Sequence, residues 1–580
     1  RSRFPPIGEL HYLLTLGAHG FYAFRLAADV EAPAWHEEHP VPPDLPVLVL
    51  VDTGWRTLFT RAEEGADVNQ LMVRRAREQL EHQIIPRYFR AQPWFVDRDA
   101  AVEKFEFGAM REWSADSGSW LLATVVVTLV GGEVQHFAIP LSLAWEDEAE
   151  GRASALLHAT LAKVRRHARV GVLFDAFWDD RFCCAVVSAM ERGEELAFGE
   201  GTLEFGVTSA YPGFSCPAEA FTILREVSEH GRLRVNLNDQ LVLKGYRRLL
   251  AGTHPELEMS HFLTETAKFP HVPQLAGTVE YANAHGRRST LAILERYTQN
   301  QGDARVHTLD YLERFLDVCR ANPEQAQDER HSSYVALMKT VGQRTAEFHR
   351  ALALPDAAGD FGTEPVGAQD ILDWVSRERH QMERLFELLE QALPELPDAA
   401  WPVARSLMAA RPKLYRRIMR ASSVRLEAVK ARCHGNYHLG QVWLVKNDVL
   451  IANYGGEPGR SWSERRSKHA PLRDVAGMLL SLGEAGATAL DRVAGDSAEA
   501  GAALQRQVDA WEVLARRAFL RSYRRGMAGH PAYPADADAA EALLTLFLAE
   551  KAIADASDAL ERHAARTGAA LRRLLQVAQR

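Results

Sequence analysis

The sequence predicts an α+β chain in which strands dominate the first half and helices the second. Three observations predict it. Residues 47–148 pair an amphipathic helix with a long two-strand hairpin, the pattern stays mixed to residue 297, and beyond 300 apolar residues recur almost everywhere at helical spacing. At 580 residues the chain exceeds what one hydrophobic core supports, and 47% apolar residues fill several cores. The expected units are 1–31, a linker at 32–46, an α+β cap at 47–148, a mixed unit at 149–297 and a helical lobe at 298–580.

In chain order, "HYLLTLGAHGFYAFRL" (11–26) places two short β-rich runs around Gly17 and Gly20, a hairpin with Tyr22, Phe24 and Leu26 on one face. Two strands do not make a stable domain, so a partner sheet upstream of residue 1 is expected. The opening residue is Arg rather than Met, and the expectation is the C-terminal piece of a longer chain. The linker "APAWHEEHPVPPDLP" is proline-stiffened, and its His36 and His39 have no third ligand to make a metal site.

Val73, Ala76, Leu80 and Ile84 recur at helical spacing, with Pro86 as the expected stop. Across Gly131 and Gly132, "LLATVVVTLV" and "EVQHFAIPLSLAW" form a strong hairpin signal. Trp94 and Phe95 are expected in the core of this unit. "QLVLKGY" reads as a strand, and Trp511, Leu514, Ala518 and Ser522, like Leu544, Phe547 and Leu548, repeat with helical period.

Composition narrows the function. Acidic residues number 77 against 68 basic, a net charge of −9, which argues against a nucleic-acid partner held by electrostatics. The five cysteines, Cys183, Cys184, Cys216, Cys319 and Cys433, show no CxxC pair, and an odd count suits a reducing compartment, with cytoplasm as the expectation. No apolar run reaches the roughly 20 residues that span a bilayer. The patterns GxxxxGK[ST], GxGxxG, HExxH and GxSxG are absent, which removes several enzyme classes at the level of motif.

One β-rich island lies within the helical half: "CHGNYHLGQVWLVKNDVLIANYGGEP". Strands "VWLV" and "VLIAN" joined by a tight "KND" turn bring the preceding loop and the following residues to one end, so Asn436, His438 and Gln441 face Asn453 and Gly455. In a phosphotransferase this geometry lets one carboxylate accept the hydroxyl proton while others hold Mg²⁺ on the phosphates.

The segments "HGNYHLGQV", "NYGGEP", "SERRSKHAPLRDVAGML", "LVLKGYRR" with "HPELEMSHFL", "FPHVPQLAGTVEY", "QNQGD" and "FLAEKA" closely resemble bacterial maltokinases. The resemblance runs from about residue 47 to the end. It implies the bilobal protein-kinase-like fold of the aminoglycoside-phosphotransferase branch, with an N-terminal α+β cap and a large helical C-lobe, and MgATP as cofactor of an active member. "RSRFPPIGELHYLLTLGAHGFYAFRL" resembles the closing strands of trehalose synthase, often fused upstream of maltokinase, which implies a trehalose-synthase domain as partner in an oligomeric assembly. Residue by residue, the resemblance implies Lys244 as the phosphate-holding strand lysine, paired with Glu258 on the following helix, with Glu256 as the substitute.

The departures fall on carboxylates. The family writes HGDYHLGQ, with the Asp as base and the Gln as a metal ligand, and DFEGEP as its metal loop; this chain has Asn436 at the base position, keeps Gln441, and has Asn453 and Gly455 where the metal loop carries Asp and Glu. An amide takes no proton at neutral pH, and loss of a general base costs on the order of 10² to 10⁴ in rate. Mg²⁺ binds through carboxylates and phosphates, which neutral amides replace poorly. The family's phosphate loop, near "EQSNTS", aligns with "EHGRLR", placing Arg232 and Arg234 where small polar residues stand, although arginines also bind phosphate. The sugar helix keeps Glu550 and Lys551, but its aromatic and acidic positions shrink to Ala554, Asp555, Ser557 and Asp558. His438 is expected to brace the loop rather than carry protons, Arg473 and Asp474 to form an ion pair that anchors it, and Glu457 to remain as a vestige.

These readings predict a maltokinase-like pseudokinase module that needs no cofactor, binds maltose or ATP weakly if at all, and scaffolds or regulates a fused trehalose synthase. The alternatives are a slow ATP-dependent maltokinase and a non-catalytic sugar-binding module, which requires a polar aromatic cleft that the sequence does not locate.

Overall fold

The computed structural model describes residues 45–50, 55, 68–95, 100–146, 156, 159–214, 223–227, 233–321, 331–355, 359–457, 459–494, 498–562 and 566–579. The hairpin expected at 11–26, His36, His39, Cys216 and Arg232 lie outside them. The chain divides into two compact units, Arg1–Ala185 and Val186–Arg580.

The first unit is built on a sheet in the order β1-β5-β6-β4-β3-β2. Its strands are β1 (Val47–Val49), β2 (Val102–Ala115), β3 (Gly118–Leu129), β4 (Val134–Trp145), β5 (Thr160–Arg166) and β6 (Arg169–Asp175). The β3–β4 turn uses Gly131 and Gly132 at φ 118° and 88°, a backbone open to glycine at no steric cost. Strands β5 and β6 carry the sheet past residue 148, so the expected boundary there is corrected. Polar ties hold the extension: Tyr88 donates to Asp175 at 3.0 Å, while Trp120 and Ser142 donate to Asp179 at 3.1 and 2.7 Å.

Helix α1 (Val68–Gln79) does not stop at Pro86. It passes through a π turn, Leu80–Ile84, in which the Ile85 amide reaches back to Leu80, and α2 (Ile85–Ala91) begins with proline in its first turn. There the amide that proline lacks has no intrahelical partner to lose. Phe89 meets Phe95, Phe105 and Phe137 edge-on at 5.2–5.4 Å. Phe95 is fully buried, and Trp94 packs on Phe89 at 5.0 Å.

Helix α3 (Asp180–Arg192) crosses the division point. The second unit opens with an antiparallel sheet in the order β7-β8-β12-β13-β11-β10-β9. These strands are β7 (Glu195–Phe198), β8 (Gly201–Val207), β9 (Ile223–Val227), β10 (Leu233–Leu237), β11 (Leu241–Gly245), β12 (Leu275–Ala282) and β13 (Arg288–Arg296). Helix α4 (Pro255–His261) packs on this sheet through Leu257, which meets Leu275 and Ile293. Residues 297–303 cross to a helical lobe of α5 (Ala304–Ala321), α6 (Ser332–Leu352), α7 (Ala368–Ala392), α8 (Trp401–Arg420), α9 (Leu472–Ala494), α10 (Ala498–Met527), α11 (Ala537–Arg562) and α12 (Thr567–Gln579).

Set into that lobe is the hairpin β14 (Val442–Val445) and β15 (Asp448–Ile451), with Lys446 at φ 54° in its turn. Backbone bonds from Gln301 to Leu444 and from Leu444 to Gly302 stitch the crossing segment to β14. One continuous core runs from Met259 through Trp511 and Phe547 to Ala578. The second unit is thus two-lobed, sheet and helices, with the β14–β15 island at the crossing. No described helix is long and apolar enough to cross a membrane.

Candidate functional site

The loop before β14 is held by one buried carboxylate. Asp474, in the first turn of α9, accepts from the backbone N–H of His434 at 2.7 Å and of Gly435 at 2.9 Å, and lies 3.2 Å from His349 Nε2. Burial alone raises a carboxyl pKa, but the contacts to His349, His434 and the Gly435 amide hold Asp474 down at about 2. His434 sits 2.9 Å from the carbonyl of Ala452, and burial lowers its pKa, so a neutral imidazole ties the loop to the strand beyond the hairpin. The expected Arg473–Asp474 ion pair is not formed. Consecutive helical residues point about 100° apart, and Arg473 pairs instead with Glu550, 2.5 Å away.

The tip of the same loop carries no charge. The Asn436 backbone amide donates to His434 Nδ1 at 3.3 Å, while its side-chain amide bonds to no described residue. His438 Nδ1 accepts from Gly440 N–H at 3.1 Å, and its Nε2 lies 3.0 Å from Gln441. Gln441 lies 2.9 Å from Asn453, whose backbone is left-handed at φ 58°. Burial, followed by the proximity of His434, Arg305 and Lys551, lowers the His438 pKa to about 4, so the ring is neutral. Gln441 Oε1 accepts from the Asn453 side-chain amide, and its Nε2 faces His438 Nε2. Three neutral groups satisfy one another where the resemblance puts a metal.

These residues do not fit Mg²⁺, which takes carboxylate and phosphate oxygens. Among the described residues no three His, Cys, Asp or Glu side chains are grouped to hold a metal ion. Helix α4 packs close to Gly455: a Cβ built there stands 3.0 Å from the Cβ of Glu256, so a side chain at 455 asks the helix to give by a few tenths of an ångström.

Lys244 on β11 bonds Glu256 at 2.9 Å and Glu295 at 2.7 Å, and Tyr246 donates to Glu256 at 2.8 Å. Burial opposes the charged amine, yet Glu256 and then Glu295 raise its pKa, so it stays an ammonium with two of its three protons committed. The expected Lys244–Glu258 pair is corrected to Glu256. Glu258 turns to Arg466 at 2.8 Å and to Arg432 at 3.4 Å. The two glutamates lie two positions apart on α4, hence on different faces. Arg234, cross-strand from Lys244, lays its guanidinium 4.9 Å from the centre of the Trp443 ring on β14. This cation–π contact covers that face of the ring.

Beside the loop lies a polar cavity of about 790 Å³ lined by Trp374, Glu378, Arg432, His469, Arg473 and Glu550, with Ala554 and Ser557. Glu378 is 4% exposed and makes no hydrogen bond or ion pair with any described residue. Burial, reinforced by the Glu550 charge, raises its pKa to about 8, so it keeps its proton at neutral pH. His469 Nδ1 and Arg432 Nε on the same wall also lack hydrogen-bond partners. Asp555 pairs with Arg573 at 2.5 Å and Asp558 with Arg562 at 3.4 Å, which ties both expected sugar-helix acids to arginines. Glu457 joins Arg460 at 2.8 Å and Lys551 at 3.8 Å. Glu378 was missed in the sequence because "DWVSRERH" has the pattern of any amphipathic helix.

No family model matches the chain. Three solved structures of glucosamine kinase do match its fold. The complex with glucosamine, ADP and inorganic phosphate is 19% identical over 81% of this chain and 93% of its own, with a TM-score of 0.54. Crystal form A gives 18% over 81% and 91%, TM-score 0.54. Crystal form B gives 19% over 82% and 94%, TM-score 0.55. The chain thus has the bilobal protein-kinase-like α+β fold with an N-terminal α+β cap and a large helical lobe.

Proposed function

We propose that this chain is a maltokinase-like pseudokinase module that transfers no phosphoryl group and serves as a scaffold or regulator of a trehalose-synthase-like domain in cytoplasmic trehalose and maltose metabolism. The observation that carries this reading is the neutral His438–Gln441–Asn453 chain at the metal position. Without carboxylates there, triphosphate charge is left uncompensated, and Asn436 accepts no proton. The Arg234–Trp443 stack supports it, because the arginine aligned with the phosphate loop has a partner within the chain.

The test is calorimetry with MgATP together with transfer of labelled γ-phosphate to maltose and to glucosamine. No saturable metal-dependent binding below about 1 mM, and no product, is the expected result; turnover at the 1–10³ s⁻¹ of ordinary enzymes overturns the reading in favour of an active maltokinase. Asn436→Asp with Asn453→Asp is expected to leave transfer at least 100-fold below that range, because Gly455 still supplies no carboxylate and Arg234 still lies on Trp443.

The cavity at Glu378 favours a second reading, a non-catalytic sugar-binding module, since a wall of unsatisfied polar atoms beside Trp374 suits a polyhydroxylated ligand. Saturable maltose binding abolished by Glu378→Ala, with no phosphate transfer, is the result that would select it.

A further inference from the structure

Away from the loop, five helices of the helical lobe surround a hollow of about 580 Å³. Its apolar surface comes from Leu480 of α9, Val513 and Leu520 of α10, and Leu544 and Leu548 of α11. Val513 is 56% exposed. On α10 the lining residues fall at 513, 516, 517, 520, 521 and 524, the i, i+3, i+4, i+7 repeat of one helical face. That face spans eleven residue steps, about 16 Å at the rise of an α-helix, or three turns.

The charge around the hollow opposes that of the chain. Six arginines and one glutamate line it, in a protein of net charge −9. Arg573 is engaged by Asp555 and Arg524 by Glu541, whereas Arg517 and Arg521 make no ion pair with any described residue. From α8, Arg417 lines the hollow, and its guanidinium donates to the Val577 carbonyl. The hollow therefore combines an apolar floor about two turns long, from Val513 to Leu520, with positive charge on its rim at Arg517 and Arg521 that no described acid pairs.

We infer that this groove is a docking surface for an amphipathic helix of a partner protein, with leucine-like residues at i, i+3, i+4 and i+7 and glutamates flanking them. A helix laid in a groove buries its apolar stripe along its length, and opposite rim charge steers and orients it. A positive rim disfavours basic partners by the same field. The inference rests on the scaffold reading above and gives that scaffold a face and a partner chemistry.

The probes are three synthetic 14-residue peptides: one with leucines at that spacing and glutamates elsewhere, its twin with lysines for glutamates, and a scrambled version of the first. Fluorescence anisotropy against the full chain is expected to show saturable binding of the glutamate peptide alone. Arg517→Glu with Arg521→Glu should weaken it at least tenfold and admit the lysine twin, and Val513→Asp should weaken it at least tenfold. These side chains are exposed, and unchanged circular dichroism and melting of the variants check their fold. About 0.5 M salt should weaken binding several-fold. Equal binding of the twin or the scrambled peptide, no binding of any peptide, or indifference to the charge reversal overturns the proposal. Preferential displacement of the bound peptide by dodecanoate also overturns it, since the groove would then belong to a small amphiphile. A chain that transferred phosphate yet bound the glutamate peptide would sink the pseudokinase reading and leave this surface standing.

Discussion

The stem and the tip of one loop, a few residues apart, treat charge in opposite ways. At the stem, Asp474 is ionised and fully engaged with His349 and the amides of His434 and Gly435. At the tip, Asn436, His438, Gln441 and Asn453 are all neutral. Charge is present where it holds backbone and missing where chemistry would use it. A loop's shape and its reactivity are thus separable, since shape depends on satisfied backbone donors and reactivity on side chains aimed outward.

Asp474→Ala should break the comparison most severely. It strands two buried amide donors and a histidine, and chemical denaturation is expected to show a loss of about 3–5 kcal/mol. Asn436→Ala at the tip should cost under about 0.5 kcal/mol, as at an ordinary partly exposed position. Similar losses at both sites would erase the distinction between stem and tip.

Glu378 sharpens the comparison by pH. Its folded pKa is raised to about 8 from the ordinary 4.5 of a glutamate, so the folded state keeps a proton that the unfolded chain releases. Stability must then fall as pH climbs through that window. Glu378→Gln cannot titrate. Its stability should match the parent near pH 5 and exceed it by on the order of 2 kcal/mol at pH 8.5. Parallel stability curves would place the carboxyl in an ordinary solvated state.

The smallest effect belongs to Arg234→Ala. Losing one cation–π contact costs about 0.5–1 kcal/mol, yet it should uncover Trp443 and shift its fluorescence to the red. An unchanged spectrum would mean that the guanidinium does not cover the ring.

Much of the scaffold was legible in the sequence, because hairpin turns and helical periods are local. Gly131–Gly132, the "QLVLKGY" strand and the "KND" turn stand where their patterns place them. What escaped depends on distance or on choices between neighbours. Nothing local joins β5 and β6 to a sheet begun at Val47, and a π turn that lets a helix run through Pro86 leaves no mark in apolar spacing. Whether Lys244 meets Glu256 or Glu258 is decided by how α4 rotates on the sheet, which depends on Leu257 reaching Leu275 and Ile293. At the site, the amides at 436, 441 and 453 were plain from residue type, whereas the cavity at Glu378 exists only after α7 and α11 have packed.

The contact between Gly455 and Glu256 couples two distant elements. A Cβ added at 455 would stand 3.0 Å from the Cβ of Glu256, so any side chain there asks α4 to yield by a few tenths of an ångström. That shift falls on the helix that holds Glu256 against Lys244. A change in the loop beyond β15 is thereby felt at a buried ion pair on the sheet.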